Sequence, residues 1–345
     1  MIEQKTKNNY LQRVKFLIRR FEREQSLIFE GHKNDFLVWL SGHASDLSPS
    51  TRRQYRASVT FYFDKFYDQQ PSDNVVNFLC SENTRSQVRK RHGKRTSAKK
   101  AKNIKTEVLQ ELLSYLFKAR SKSASLIANI LIASSFFGLR PIEWGRAKLI
   151  FEEGFIEGLK VMNAKHTQGR SHGPDRVIWI DVETVTALSQ NAKRAINAAK
   201  YLEDYFKQVK TSHLKTPDIK GLNEKEIEAS YLREVENRLE KARQYLNQLY
   251  RTNPYLNKLA KKSRITLYSA RHQFAADAKK AGLSPVEIAA LMGHASIRTN
   301  QASYGKRRCG NPGGFGVAAD QENIERVEAR MPEMTQDDTF NGPSF

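Results

Sequence analysis

The chain has 345 residues, of which 39% are hydrophobic and 28% charged, a composition typical of a globular protein with room for two domains. No apolar run approaches the ~18–20 residues of a membrane span, and the N-terminal stretch lacks the apolar core of a secretory signal. The two cysteines lie far apart and outside any CxxC motif, which argues against a disulfide framework or a zinc site and favours the cytoplasm. The formal net charge of +21 favours nucleic acid as partner, with a generally basic surface as the alternative.

The N-terminal region is predicted to be helical. Apolar residues recur there at spacings of three and four, as on one face of a helix: Leu11, Val14, Ile18 and Phe21. A second helix is predicted within DLSPSTRRQYRASVTFYFDKF, where Ser48 is a candidate N-cap and Pro49 the first helical residue. Three arginines in its first turns are candidate DNA contacts, with a merely solvated basic end as the alternative: Arg52, Arg53 and Arg56.

Residues 85–105, RSQVRKRHGKRTSAKKAKNIK, hold ten Lys or Arg and no acidic residue. Because the block has few large apolar side chains, it is predicted to be an interdomain linker that lies on phosphates rather than part of a core. A disordered basic segment without a fixed role is the alternative. The candidate phosphate contacts are Arg89, Lys90, Arg91, Lys94, Arg95, Lys99 and Lys100.

Beyond this block the patterns alternate between helix and strand. TEVLQELLSYLFKARS and SASLIANILIASSFFGLRP are predicted helices, and the second is apolar enough to be buried, with Gly138 ending it. GFIEGLKVMNAK and DRVIWIDVE are predicted strands joined by a glycine-containing turn. Residues 186–258 are long, polar and helical, and carry an apolar stripe that indicates core or a seam for a partner helix: Ile227, Tyr231, Val235, Leu239, Ala242, Leu246 and Leu249.

Short helices are predicted again from residue 266. In SPVEIAALMG, Ser284 and Glu287 form a capping box, Pro285 takes the first helical position and Gly293 ends the helix. His294 therefore follows a helix C-terminus, where a donor or cation is favoured. RHQFAADAKKAG forms another helix, and a weak one is expected near DQENIERVEARM in a tail that begins at Gly310.

Four separate pieces combine into one chemistry: GLRPIE at 138–143, Lys165, YSARHQF at 268–274 and LMGHASIRTNQASY at 291–304. Two arginines can clamp the non-bridging oxygens of a phosphate, and a histidine can supply a third donor. A lysine can protonate a departing alkoxide, while a tyrosine can attack phosphorus. No carboxylate cluster has metal-ligand spacing, so no metal or cofactor is expected. Taken singly, the first piece could be a structural ion pair between Arg140 and Glu143.

In combination, GLRPIE, YSARHQFA, LMGHASIRT and the tyrosine after them resemble the tyrosine recombinase (phage-integrase-type) family. The resemblance implies a mainly α-helical protein with a helical, SAM-like core-binding domain at 1–84 and the basic linker at 85–105. It further implies a mostly helical catalytic domain at 106–345 that contains a small antiparallel β-sheet. A helical insertion would occupy about 186–258, as an accessory element or decoration, and a C-terminal tail would occupy 309–345.

The resemblance also implies a role for each matched residue. Arg140 and Arg271 would clamp the phosphate, and Glu143 would orient the first of them. Lys165 would be the general acid toward the 5′-oxygen, and Tyr304 the nucleophile that forms a 3′-phosphotyrosyl link.

His294 would be the histidine of the family's GH motif, and His272 the histidine that follows the second arginine. Tyr268 departs from the pattern, because the family usually has histidine there. A phenol can still donate one hydrogen bond to a phosphate oxygen, but it is a poor acid or base at neutral pH. A buried structural phenol is the alternative.

The implied function is site-specific recombination or integration of duplex DNA, as carried out by the recombinases of mobile genetic elements. The reaction would need neither a metal ion nor ATP. The implied partners are double-stranded DNA, a homo-tetramer on paired sites and, in some systems, accessory DNA-bending proteins. A cytoplasmic, nucleoid-associated protein without membrane contact is expected. Two alternatives stay open: a type IB-like topoisomerase or hairpin-forming resolvase, and a DNA-binding protein that has lost catalysis.

Overall fold

A computed structural model of the protein describes residues 4–44, 47, 49–67, 101, 104–164, 171–262, 264–297, 307–311 and 315–331. The chain divides into two compact units, residues 1–95 and 96–345. The predicted fold class is confirmed, because the described residues are mainly helical and carry a small antiparallel sheet. None of the helices in these ranges has an apolar stretch long enough to cross a membrane.

The N-terminal unit contains three described helices: α1 (Gln4–Gln25), α2 (Lys33–Ala44) and α3 (Pro49–Tyr67). They enclose an aromatic core in which the rings of Phe29 and Phe36 meet edge to face, 5.1 Å apart between centroids. The apolar face predicted for the first helix is confirmed, since Val14 and Phe21 are fully buried. The second predicted helix begins at Pro49 as expected, whereas Ser48 lies outside the described residues.

One candidate DNA contact of α3 does not lie on the surface of this unit. Arg52 is only 2% exposed, while Arg53 is exposed and Arg56 is half-buried. Arg52 precedes the core residues Val59 and Phe63 by seven and eleven positions, which places all three on the face that packs inward. The prediction that Arg52 contacts a DNA backbone is therefore corrected, and Arg53 and Arg56 remain as candidates.

The second unit contains eight described helices and four strands. The helices are α4 (Thr106–Lys118), α5 (Lys122–Phe137), α6 (Val182–His213), α7 (Glu224–Thr252), α8 (Pro254–Lys262), α9 (Ser269–Ala281), α10 (Pro285–Met292) and α11 (Gln321–Glu328). As predicted, α5 is buried on nearly every side and ends at Gly138, whose φ of +70° is accessible to glycine without strain. The predicted basic linker stops short of residue 105, because Ala101 and Ile104 are buried in the core of this unit.

The sheet has the order β1-β2-β3-β4 with antiparallel neighbours. Its strands are β1 (Lys148–Glu152), β2 (Phe155–Met162), β3 (Asp175–Ile180) and β4 (Val317–Ala319). The two predicted strands are β2 and β3, paired with Leu159 opposite Ile178. Sequence patterns missed β1 and β4, and β4 has only three residues, too few to show a period of two.

Residues 186–258 contribute to the core of the second unit. Most of the predicted apolar stripe on α7 is buried, and it joins the same hydrophobic cluster as α5 and the sheet. Tyr231 of this stripe donates a hydrogen bond from Oη to the carbonyl of Gly145, at 2.6 Å. The prediction that the stripe is core is confirmed for its buried members, whereas the assignment of the whole segment as an insertion stays a prediction.

Candidate active site

A buried glutamate lies at the centre of the candidate site. Gly138 ends α5, and the chain turns at once into a short 3-10 helix, Pro141–Arg146. Within it the two oxygens of Glu143 bind Arg140: Oε2 accepts from the backbone N–H at 2.8 Å, and Oε1 accepts from Nη1 at 2.6 Å. Glu143 is 1% exposed and Arg140 is 7% exposed. The local sequence GLRPIE thus folds into a buried, hydrogen-bonded ion pair.

The second predicted arginine comes to this glutamate from a distant part of the chain. Arg271, in the first turn of α9, lies with Nη1 3.6 Å from Glu143 Oε2. Its guanidinium also donates to the carbonyls of Gly138 and Met292, each at 2.5 Å. Gly138 and Arg271 are 133 residues apart in sequence. The contacts therefore join the end of α5, the start of α9 and the end of α10.

His294 lies in the same cluster, directly after the helix end that the capping pattern predicted. Ser284 and Glu287 cap α10 reciprocally, and Gly293 ends it with a φ of +61°. The His294 Nε2 atom lies 2.9 Å from Nη2 of Arg271, and the ring is 1% exposed. Because a guanidinium can only donate, Nε2 is the acceptor, and a neutral His294 carries its ring hydrogen on Nδ1.

A third arginine, which the motif analysis missed, binds the same glutamate. Arg176 of β3 is 1% exposed and lies with Nη2 2.9 Å from Glu143 Oε2. Its Nε donates to the carbonyl of Leu291 at 2.8 Å, and its Nη1 donates to Oδ1 of Asn163. A sequence signal for it exists: with a period of two, Arg176 shares the buried face of β3 with Ile178.

Three positive charges surround the single carboxylate of the cluster. Burial by itself raises the pKa of the Glu143 carboxyl, but the guanidiniums of Arg176, Arg140 and Arg271 outweigh it and hold this pKa well below its usual range. Burial lowers the pKa of Arg176 to about 10, and the carboxylate of Glu143 opposes that shift. Glu143 is therefore ionised, and among the described residues three guanidiniums share its single negative charge.

The catalytic lysine and tyrosine predicted from the motifs, Lys165 and Tyr304, lie outside the described residues, as do the seven basic candidates between Arg89 and Lys100. The neighbour of Lys165 is informative. The backbone N–H of Ala164 donates to Glu143 Oε1 at 3.4 Å, so the end of the strand that leads into the predicted hairpin touches the cluster.

The rings of Tyr268 and His272 are in contact at the start of α9. Their rings lie edge to face with centroids 5.3 Å apart. Tyr268 is 36% exposed, so the alternative of a buried structural phenol is wrong. Tyr268 precedes the buried Arg271 by three residues, at the N-terminal end of the same helix.

Among the residues that the structure describes, no group of three or more His, Cys, Asp or Glu side chains is arranged to hold a metal ion. The chemistry available in the cluster is that of fixed cations and hydrogen-bond donors. Such a donor set suits a phosphate or another oxyanion.

Comparisons with known proteins give one structural likeness. No protein-family model matches the sequence, and no curated protein matches it. Among solved structures the chain is similar to the XerH site-specific recombinase bound to palindromic difH substrate, in a post-cleavage complex. The TM-score is 0.40 and the identity is 17% over 77% of this chain and 66% of that one. The chain thus spans just under two thirds of the length of that recombinase.

Proposed function

We propose that the protein is a site-specific DNA recombinase that cuts and rejoins duplex DNA through a covalent 3′-phosphotyrosyl intermediate. One observation carries the proposal: Arg140 and Arg271, from distant segments, meet at Glu143 with His294 bonded to Arg271. Three motifs that a clamp for phosphate requires are thereby brought into one buried cluster. The convergence supports the proposal, because a local ion pair between Arg140 and Glu143 would not by itself bring Arg271 to the same carboxylate.

The proposed reaction uses the cluster to stabilise charge on one phosphate. The guanidiniums of Arg140 and Arg271 bind the non-bridging oxygens, and His294 adds a donor as the pentacoordinate state forms. Tyr304 attacks phosphorus through its phenolic oxygen and releases its proton to solvent water, from which Lys165 can later be reprotonated. The bond from phosphorus to the 5′-oxygen breaks, and Lys165 protonates that oxygen. The phosphotyrosyl ester retains the bond energy, so a 5′-hydroxyl can reverse the step on another strand without ATP.

Glu143 and Arg176 would act on this reaction by holding the clamp rather than by touching DNA. A guanidinium that is already oriented loses little conformational entropy when it binds a phosphate. Arg271 is fully buried and bonded to two carbonyls and His294, so phosphate binding requires at least one of these contacts to open. Arg140, with some exposed surface, is then the guanidinium that a phosphate meets first.

Duplex DNA is the proposed partner. The net charge of +21 supplies non-specific affinity through counterion release, and Arg53 and Arg56 of the N-terminal unit are candidate backbone contacts. A tetramer on two paired sites, assistance by DNA-bending proteins, a mobile-element role and association with the nucleoid are implied by the resemblance to tyrosine recombinases.

The test is a trapping experiment with duplex oligonucleotides that carry a randomised central segment and one nick. Cleavage near the nick releases a short 5′-hydroxyl strand and leaves a protein–DNA adduct that survives denaturant. We expect wild type to form this adduct and Tyr304→Phe to form none. If wild type forms no adduct, the protein is a binding protein without catalysis and the proposal fails.

A second assay separates recombination from the topoisomerase or resolvase alternative. The sequence selected by trapping is placed on DNA once or twice. A recombinase gives recombinant joints only with two sites, because strand exchange needs a second DNA end. Relaxation or hairpin formation at a single site, without joints at paired sites, would replace the proposal by the alternative.

A further inference from the structure

The segment that follows Tyr304 is bonded to the helix that carries Arg271. Residues 307–311 run along α9 and make three contacts with it through backbone groups. Gln273 Nε2 donates to the carbonyl of Cys309 at 3.2 Å, and Lys280 Nζ donates to that of Gly310 at 3.0 Å. The Asn311 N–H donates to Asp277 Oδ1 at 2.6 Å, and its side chain also reaches Asp277.

The two central residues of this attachment, Gln273 and the half-buried Asp277, are bonded to each other. Gln273 and Asp277 lie one helical turn apart, and Gln273 Nε2 donates to Asp277 Oδ1 at 2.7 Å. Gln273 is 3% exposed, and its Oε1 accepts from the N–H of Ile104 at 2.6 Å. The side-chain amide of Gln273 therefore forms hydrogen bonds with three residues: Ile104, Asp277 and Cys309. Burial raises the pKa of Asp277, while hydrogen bonds from Asn311 and Gln273 oppose the shift.

The backbone of residues 307–311 also lies very close to α9. A Cβ placed on Gly310 would collide with the carbonyl oxygen of Ala276 and would lie 2.6 Å from Cβ of Lys280. Only a glycine fits at this approach without displacement of the segment. The segment is therefore held on α9 both by close packing at Gly310 and by hydrogen bonds.

We propose that Gln273 and Asp277 are positioning residues that anchor residues 307–311 on α9 and so deliver Tyr304 to the arginines of its own chain. The proposal rests on the function proposed above. Gln273 follows Arg271 by two residues, and Tyr304 precedes Cys309 by five. Five residues span at most about 17 Å, so the anchor limits how far the tyrosine can be from Arg271 of the same chain.

The first experiment measures the rate of adduct formation at saturating protein, together with the affinity for the trapped duplex. Asp277→Ala and Gln273→Ala remove the anchor, while Asp277→Asn keeps an oxygen that can accept from Asn311. We expect both alanine variants to react about ten-fold more slowly or worse, because small displacements of a nucleophile are costly. Affinity should stay within about two-fold. Asp277→Asn should restore most of the rate.

Two further variants keep this experiment decisive. Glu322→Ala removes a carboxylate that binds Arg326 on α11, away from the anchor, and should react like wild type. Gly310→Ala displaces the segment from the other side without changing α9, and should slow the reaction even if Asp277→Ala fails to fold. Wild-type rates for Gly310→Ala and for the anchor variants would overturn the proposal.

The second experiment mixes Tyr304→Phe with Arg271→Ala on the trapped duplex. Delivery within one chain predicts no more adduct from the mixture than from either variant alone. Adduct in the mixture would show that the tyrosine crosses to another subunit and would overturn the proposal. Failure of the underlying function looks different, because wild type itself would then form no adduct.

Discussion

Arg176 and Glu143 form an ion pair in which neither side chain has exposed surface, with Nη2 2.9 Å from Oε2. Such a pair gains its stability from the fit of its hydrogen bonds, because removing two charges from water is expensive. Arg176 also holds the carbonyl of Leu291 and the side chain of Asn163. The arginine therefore fixes the sheet, the end of α10 and the glutamate of the clamp relative to one another.

Replacement of this arginine should be costly. Arg176→Met leaves Glu143 with two guanidiniums instead of three, and we expect the free energy of unfolding to fall by about 3 kcal/mol. Urea denaturation measures the change. The matched control is Arg238→Met, which breaks a half-exposed pair with Glu234 and should cost less than about 1 kcal/mol. Equal losses for the two variants would show that Arg176 does not organise the cluster.

His172 should make the stability of the protein depend on pH. Its ring is buried and bonded through Nε2 to the carbonyl of Ala290, and burial lowers its pKa to about 4 from an ordinary 6.5. The unfolded chain takes up the proton more readily, so the stabilisation is full above pH 6.5 and is lost as the pH falls toward 4.

Urea denaturation across this range tests the effect of His172. The slope from this residue should approach about 1.4 kcal/mol per pH unit. His172→Gln can still donate to the carbonyl but does not titrate, so its profile should be flatter than that of wild type. Carboxylates titrate in both proteins, and the difference between the two profiles isolates His172. Parallel profiles would contradict the prediction.

The phenol of Tyr268 should contribute to chemistry if its hydroxyl donates to the phosphate. Tyr268→Phe removes the hydroxyl and keeps the ring against His272, so folding should be unchanged. We expect adduct formation to slow by about ten-fold, as for loss of one donor to a developing charge. Tyr268→His should retain activity, because histidine can donate in the same place. An unchanged rate for Tyr268→Phe would show that the hydroxyl takes no part in the reaction.

Replacement of Arg271 should reduce DNA cleavage much more than DNA binding. Arg271→Ala removes one arm of the clamp, and we expect adduct formation to fall by at least about 100-fold. Duplex affinity should change by only a few-fold, since most affinity comes from many phosphate contacts elsewhere. Fluorescence anisotropy with the trapped duplex measures the affinity. If affinity collapses together with cleavage, the hydrogen bonds to Gly138 and Met292 make Arg271 a structural residue.

The features predicted correctly are those with local signals. The helix from Pro285 to Met292 has a capping box before it and Gly293 after it, and the structure has both. The buried face of α7 follows from spacings of three and four. Arg140 and Glu143 are three residues apart, so their pairing was also open to local reasoning.

The features that were missed depend on contacts between distant segments. Arg176 was missed because a charged residue in a strand is ordinarily expected at the surface, and only its carboxylate partner far away in sequence explains its burial. Arg52 was assigned to DNA for the same reason, although its helix turns it inward. The anchor between Asp277 and Asn311 has no sequence periodicity at all, since it joins a helix to an irregular segment.

The most direct measurement identifies the residue that carries the DNA. The trapped adduct is digested with nuclease and trypsin, and the modified peptide is sequenced by mass spectrometry. Residues 299–306, TNQASYGK, form a tryptic peptide in which Tyr304 is the only tyrosine. We expect a nucleotide attached to Tyr304 through its 3′-phosphate. Attachment to any other residue, or through a 5′-phosphate, would contradict this expectation.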